Sequence, residues 1–316
     1  MKVIFYNEAN TGDGFFVKSF IKQFCELNQD IDIYIMLKYN SFLFSDIPNL
    51  HLILPNININ NNYTNDGFNG FCYDPINSLN INNYDFIQCY NIMKNDFQEK
   101  NYLVLNDTIY IKTWITKCTP DWNWGELECN LNNVNIYYNN IINNINIKHK
   151  LNFKIIKNFD LLPSIPYTDI TQFLLVKQNK KIIFYYNYYN NSGDKWNFNS
   201  NFNHDNNILK LSNKYPDYVI CCALKPNVSN FNIISIEDFG YIKQPSCENI
   251  ANALYCAMNS NIVYSFDTGA CFYYLNDKFN ETFKGIWYHV SLTEIFFNRI
   301  NMVLKNNKVK LINIID

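Results

Sequence analysis

The sequence holds a single arginine, Arg299, among its 316 residues. Clusters of guanidinium forks that grip phosphate or guanine are therefore excluded. Charge is sparse as well: 17% of residues carry it, against about 25% in an ordinary soluble domain. The 26 basic and 28 acidic residues leave a net charge of −2. With no excess of cations to displace counterions, no nucleic-acid partner is expected. No run of 18 apolar residues occurs, so no transmembrane segment is expected. The chain opens Met1-Lys2-Val3-Ile4-Phe5-Tyr6 and turns polar at Asn7-Glu8. That stretch is too short for a signal peptide and no small-residue cleavage site follows it. It reads as a first β-strand, and the protein is expected to be cytoplasmic, in the host cytoplasm if the source is a virus.

Cys-x-x-Cys pairs are absent too, and His51, His149, His204 and His289 stand far apart. A zinc site needs paired ligands at short spacing, so no metal is expected. The ten cysteines fall mostly inside apolar runs, as at Cys25, Cys89, Cys256 and Cys271, and read as reduced and buried. The lone Asp-x-Asp, Asp30-Ile31-Asp32, precedes a strand where a metal-binding pair would end one. It reads as solvated turn charge.

What the sequence has in excess is asparagine, about one residue in six, with much Ile, Tyr, Phe and Lys. These residues have AT-rich codons, as the genome of a giant DNA virus or a protist would supply. The asparagines are interleaved with Ile and Tyr, which argues against a prion-like tract. At this Asn content the five Asn-x-Ser/Thr sequons, Asn106-Asp107-Thr108 and Asn280-Glu281-Thr282 among them, are what chance produces. Apolar residues make up 48% of the chain, enough for substantial cores.

The length is about twice that of a usual domain, and the rhythm is strand–helix alternation in two halves. In the first half, strands are read at 2–6, 31–37, 51–54, 84–90 and 102–105. Helices are read at 15–27, with Phe16, Phe20, Ile21 and Phe24 on one face, and at 139–146. Pro163 and Pro166 then interrupt the pattern, which sets a domain boundary there. In the second half, strands are read at 181–187, 218–223, 233–236, 261–266 and 309–314. Helices are read ending near Tyr215, at 246–258, and at 291–304. The expected fold is α/β: two Rossmann-like domains with parallel sheets facing a cleft.

Two segments could carry chemistry. Asn10-Thr11-Gly12-Asp13-Gly14 lies between the first strand and its helix. Its glycines permit a close backbone approach, and a helix start offers free N–H groups. Asp13 reads either as an N-cap or as a site carboxylate at the carboxyl end of the first strand. The stretch lacks Gly-x-Gly-x-x-Gly, so no dinucleotide fingerprint is present. The second segment, Ser265-Phe266-Asp267-Thr268-Gly269-Ala270, follows a strand and reads either as a capped turn or as a nest of N–H groups for phosphate. Trp122 and Trp124 read either as packing residues or as a sugar-stacking surface.

These stretches, NTGDGFFVKSFIKQF near the start and SCENIANALYCAMNSNIVYSFDTGACF near the end, resemble the GT-B glycosyltransferases, and within them the heptosyltransferase-like group, glycosyltransferase family nine. About a fifth of the chain carries the resemblance. It implies an acceptor-binding domain over 1–165 and a nucleotide-sugar-binding domain over 166–316. It makes Asp13 the catalytic base, flanked on the acceptor side by Gly12 and Gly14. It places Asp267, Thr268 and Gly269 at the donor diphosphate, with Ser192, Gly193 and Lys195 also at donor phosphate, and Glu248 near the donor ribose. The group usually has His three residues beyond the glycine of Asp-Thr-Gly; here that residue is Phe272. The implied activity is a metal-independent, inverting glycosyl transfer from a nucleotide-sugar co-substrate to a hydroxyl acceptor in glycan biosynthesis, without a further cofactor. The alternatives are a non-catalytic nucleotide- or glycan-binding protein that keeps the fold, and a nucleotide-sugar epimerase.

Overall fold

A computed structural model describes residues 1–7, 11–37, 44–53, 101–113, 131–159, 164–165, 170–187, 203–239, 247–266, 274, 276–290 and 309–312. The chain divides into two units, Met1–Pro166 and Tyr167–Asp316. Among the described residues no helix is long and apolar enough to cross a membrane. The expected strand at 84–90, Trp122, Trp124 and the expected helix at 291–304 lie outside the described residues.

In the first unit, β1 (Lys2–Asn7), β2 (Asp32–Leu37) and β3 (Leu50–Ile53) pair in parallel. β4 (Tyr102–Leu105) and β5 (Thr108–Lys112) complete a sheet of order β3-β2-β1-β5-β4. Central β1 is flanked on both sides, so Val3, Ile4, Phe5 and Tyr6 are all buried, the continuous apolar run of an interior strand. The expectation of a buried 102–105 strand is corrected. β4 is half-buried and pairs antiparallel with β5, a strand the sequence reading missed. A two-residue turn joins them, with Asn106 at φ 50°, a left-handed conformation that Asn tolerates better than most residues.

Helix α1 (Thr11–Leu27) begins four residues earlier than its apolar spacing indicated. It buries Val17, Phe20, Ile21, Phe24 and Cys25, the i, i+3, i+4 stripe of a core-facing helix. Phe5 meets the edges of Phe20 and Phe24 at ring separations of 6.2 and 5.6 Å. Helix α2 (Leu131–His149) packs on α1, with Tyr138 5.4 Å from Phe20.

An extended strap, 151–159, then runs along α1 and α2, and amide side chains satisfy its backbone. Asn28 accepts from Lys154 N at 2.8 Å and donates to Lys154 O at 3.0 Å. Asn139 accepts from Ile156 N, and Asn135 donates to Phe159 O. Gln23 donates to Asn158 O, and Asn146 grips Phe153 through both its atoms. Each of these bonds gives a strap backbone group a partner without a neighbouring strand. Asn135, Asn139 and Asn146 recur at helical spacing on one side of α2, beside the apolar stripe Val134, Tyr138, Ile141 and Ile145.

The second unit begins with α3 (Thr171–Asn179), unforeseen in the sequence, and β6 (Lys181–Tyr185). There follow α4 (His204–Lys214), β7 (Tyr218–Cys222), β8 (Ile233–Ser235), α5 (Cys247–Met258), β9 (Ile262–Phe266), α6 (Asp277–Thr282), β10 (Ile286–Val290) and β11 (Val309–Ile312). Every described pairing is parallel, and the order is β8-β7-β6-β9-β10-β11. Counted from β6, this is the 3-2-1-4-5-6 order of the doubly wound nucleotide fold. One sheet face packs Ile183, Tyr185, Tyr264 and Phe266 against Ile208 and Leu211 of α4. On the other face, Trp287 meets Tyr274 at 5.1 Å and Phe279 at 5.9 Å. The described free cysteines, Cys25, Cys221, Cys222 and Cys256, are all buried. Burial pushes the Cys25 thiol up to about 12 and raises Cys221 and Cys222 as well, so none of these three is a ready nucleophile.

Candidate functional site

Open α/β sheets bind ligands beyond the carboxyl ends of their strands, where the strand order reverses. In the second unit that point lies between β6 and β9, which end at Tyr185 and Phe266. Just beneath it three rings close on one another. Phe266 stands 5.1 Å from Tyr185 and 4.8 Å from His204, the first residue of α4. His204 is buried and shares a 3.0 Å hydrogen bond with the Tyr185 hydroxyl. Desolvation lowers its imidazole to about 4, against the partial opposition of Asp205, so it is neutral at physiological pH. Among the described residues, this part of the edge is therefore aromatic and uncharged.

The backbone around it is fixed by side chains. Asn187, two residues past β6, accepts from Leu224 N at 2.8 Å and donates to Leu224 O at 2.9 Å, joining the ends of β6 and β7. On the opposite sheet face, Trp287 Nε1 donates to Ser265 Oγ at 2.6 Å, and Ser265 Oγ lies 2.9 Å from His289 Nδ1. All three side chains are buried. This polar knot holds the last residues of β9, from which Asp267-Thr268-Gly269 continues. Asp267, Thr268, Gly269, Phe272, Ser192, Gly193 and Lys195 lie outside the described residues. Glu248 lies in the first turn of α5, which leaves the sheet at its carboxyl edge.

In the first unit the order reverses between β1 and β5. Thr113, just past β5, donates its N–H and its hydroxyl to Tyr6 O at 2.7 and 2.9 Å, locking the two strand ends together. Helix α1 leaves this edge. Gly12, Asp13 and Gly14 form its first turn, so the N-cap reading of Asp13 is corrected: the helix already starts at Thr11. A carboxylate within the first turn is favoured by the helix dipole.

One turn further, α1 carries a feature the sequence reading did not foresee. The Lys18 side chain is fully buried and lies 2.6 Å from Asp46 Oδ1. It also donates to Ser164 O and stands 5.9 Å over the Phe44 ring. Ser164 Oγ in turn donates to Asp46 Oδ2 at 2.6 Å. Desolvation lowers the ammonium from 10.5 to about 8, although Asp46 opposes the shift. A lysine amid apolar helical residues carries no local sign of a partner 28 or 146 residues away. His204 and His289 were likewise missed because separation in sequence concealed their contacts with Tyr185 and Ser265.

No protein-family model matches the chain, and no curated protein does. Among solved structures, the glycosyl transferase family 9 protein from Veillonella parvula superposes with a TM-score of 0.52 at 10% identity, over 98% of this chain and 86% of that one. The ADP-heptose LPS heptosyltransferase II of E. coli gives 0.44 at 8% identity, over 100% and 91%. At such identities the likeness is one of fold: this chain has the GT-B-like α/β fold of the Veillonella glycosyl transferase family 9 structure.

Proposed function

We propose that the protein is an inverting, metal-independent glycosyltransferase that takes a nucleotide-sugar donor on its second unit and a hydroxyl acceptor on its first. The observation that carries this reading is the likeness to a glycosyl transferase over 98% of the chain. The 3-2-1-4-5-6 strand order of the second unit supports it, because that order builds a nucleotide edge. In the proposed reaction the acceptor hydroxyl gives its proton to Asp13 as its oxygen attacks the anomeric carbon. The bond from that carbon to the diphosphate breaks on the opposite face, and nucleoside diphosphate departs. Backbone N–H groups and the hydroxyl of the Asp267-Thr268-Gly269 turn, with Ser192, Gly193 and Lys195, take up the charge developing on the leaving group. Glu248 accepts from the donor ribose.

Two measurements test this. Thermal melting of the full chain with nucleoside diphosphates and nucleotide sugars is expected to show stabilisation by at least one of them. Stabilisation by none refutes the reading. With the donor so found, Asp13→Ala is expected to lose turnover by at least about a hundredfold while donor affinity is kept. Unchanged turnover removes Asp13 from the mechanism.

A further inference from the structure

Six of the buried asparagines among the described residues have hydrogen-bond partners. Asn28, Asn135 and Asn139 hold the strap. Asn187 holds Leu224, Asn232 donates to the backbone around Ser212, and Asn276 accepts from Phe279 N. Asn252 is the exception. Its side chain is 0% exposed, and neither its Oδ1 nor its Nδ2 has a partner. An unpaired buried amide is destabilising, and Asn252 differs from Asn101, whose Oδ1 is also unpaired, in being fully buried with both of its amide atoms unpaired.

The position of Asn252 in the fold suggests a ligand. It lies on α5, the crossover that leaves the carboxyl edge of the nucleotide-fold sheet and returns to β9. One turn further along α5, the free Cys256 thiol shares a hydrogen bond with the free Cys221 thiol of β7, so this side of the helix faces the sheet. Asn252 is one turn nearer the carboxyl edge than that core contact, and one turn beyond Glu248. The two orphaned atoms also limit the ligand chemistry. A phosphate would accept from Nδ2 but repel Oδ1. A neutral group presenting a donor beside an acceptor satisfies both, as a ribose diol or a nucleobase edge does.

We propose that Asn252 is a recognition residue for the nucleoside of the donor, pairing its amide with a neutral donor–acceptor edge of the ribose or base. The inference rests on the nucleotide-sugar reading of the second unit. On this proposal the nucleoside approaches Asn252 from the carboxyl edge, past the first turn of α5.

Calorimetric titration of the full-length chain tests it, with ADP, GDP, UDP and CDP and their 2′-deoxy counterparts. The proteins compared are wild type, Asn252→Leu and Asn252→Ala; the alanine variant carries the comparison should leucine prevent folding. The preferred diphosphate is expected to bind the variants at least about tenfold more weakly than wild type. Loss of discrimination against the 2′-deoxy form assigns the contact to the ribose; loss of base preference assigns it to the base; either supports the inference. Equal affinity in wild type and both variants overturns the role of Asn252 while leaving the donor reading intact. A wild type that binds no diphosphate overturns the donor reading and this inference with it.

Discussion

Replacing Lys18 by Met should change how stability depends on pH above neutrality. In the folded chain the ammonium is fully buried against Asp46 and Ser164, and burial brings it from 10.5 to about 8. Between those values the unfolded chain holds the Lys18 proton while the folded chain has released it. Stability therefore rises with pH through this window. Each tenfold change in proton affinity is about 1.4 kcal/mol, so the whole contribution is about 3 kcal/mol, gained between about pH 8 and about pH 10.5. The ammonium is fully buried, so solvent does not screen it. Buried thiols and the buried Tyr264 phenol act in the opposite direction, because their raised values make the unfolded chain release protons first. Those contributions are common to wild type and Lys18→Met, and they cancel in the difference. Urea unfolding at about pH 7.5, 8.5, 9.5 and 10.5 measures that difference. Wild type should gain about 3 kcal/mol on the variant across the series. Curves that remain parallel would mean that Lys18 titrates like a solvated lysine, and the buried node would be refuted.

His204 gives the mirror case on the acid side. Its folded value of about 4 lies below the ordinary 6.5, so stability is complete above 6.5 and about 3 kcal/mol is lost as pH falls towards 4. His204→Phe should flatten that part of the urea-midpoint profile, and an unaltered profile would show that another group causes the acid loss. Asn28→Leu removes the clasp on Lys154 and leaves its strap groups to find water, at a cost of about 1–3 kcal/mol in urea unfolding. A change within error would mean that the strap is held by its apolar contacts alone.

The candidate site was legible where its signals are local. An apolar strand run ends at Tyr6 and the string Gly12-Asp13-Gly14 opens a helical stripe, and a second strand run leads into Asp267-Thr268-Gly269; each is a short string with a steric meaning. The groups that support those segments were hidden. Ser265, Trp287 and His289 meet only because β9 and β10 pair in the register Ser265↔His289. Phe266 joins Tyr185 and His204 only because β6 and β9 are neighbours although several elements separate them in sequence. Asn252 resembles every other asparagine in the chain until the contacts around it are known.

Period 3.6 and buried apolar runs are properties of consecutive residues, so the order and kind of most elements are written locally in the chain. The limits of β6, β7 and β9 were read to within two residues on that basis. Pairing and partnership arise only on folding. Folding turns β4 antiparallel onto β5, brings Lys18 to Asp46 and Ser164, and makes an asparagine-rich composition into a set of backbone clasps along the strap. These outcomes depend on which distant groups share a water-free volume. There an amide or an ammonium is stabilised by the particular partner it meets, and its neighbours in the chain do not specify that partner.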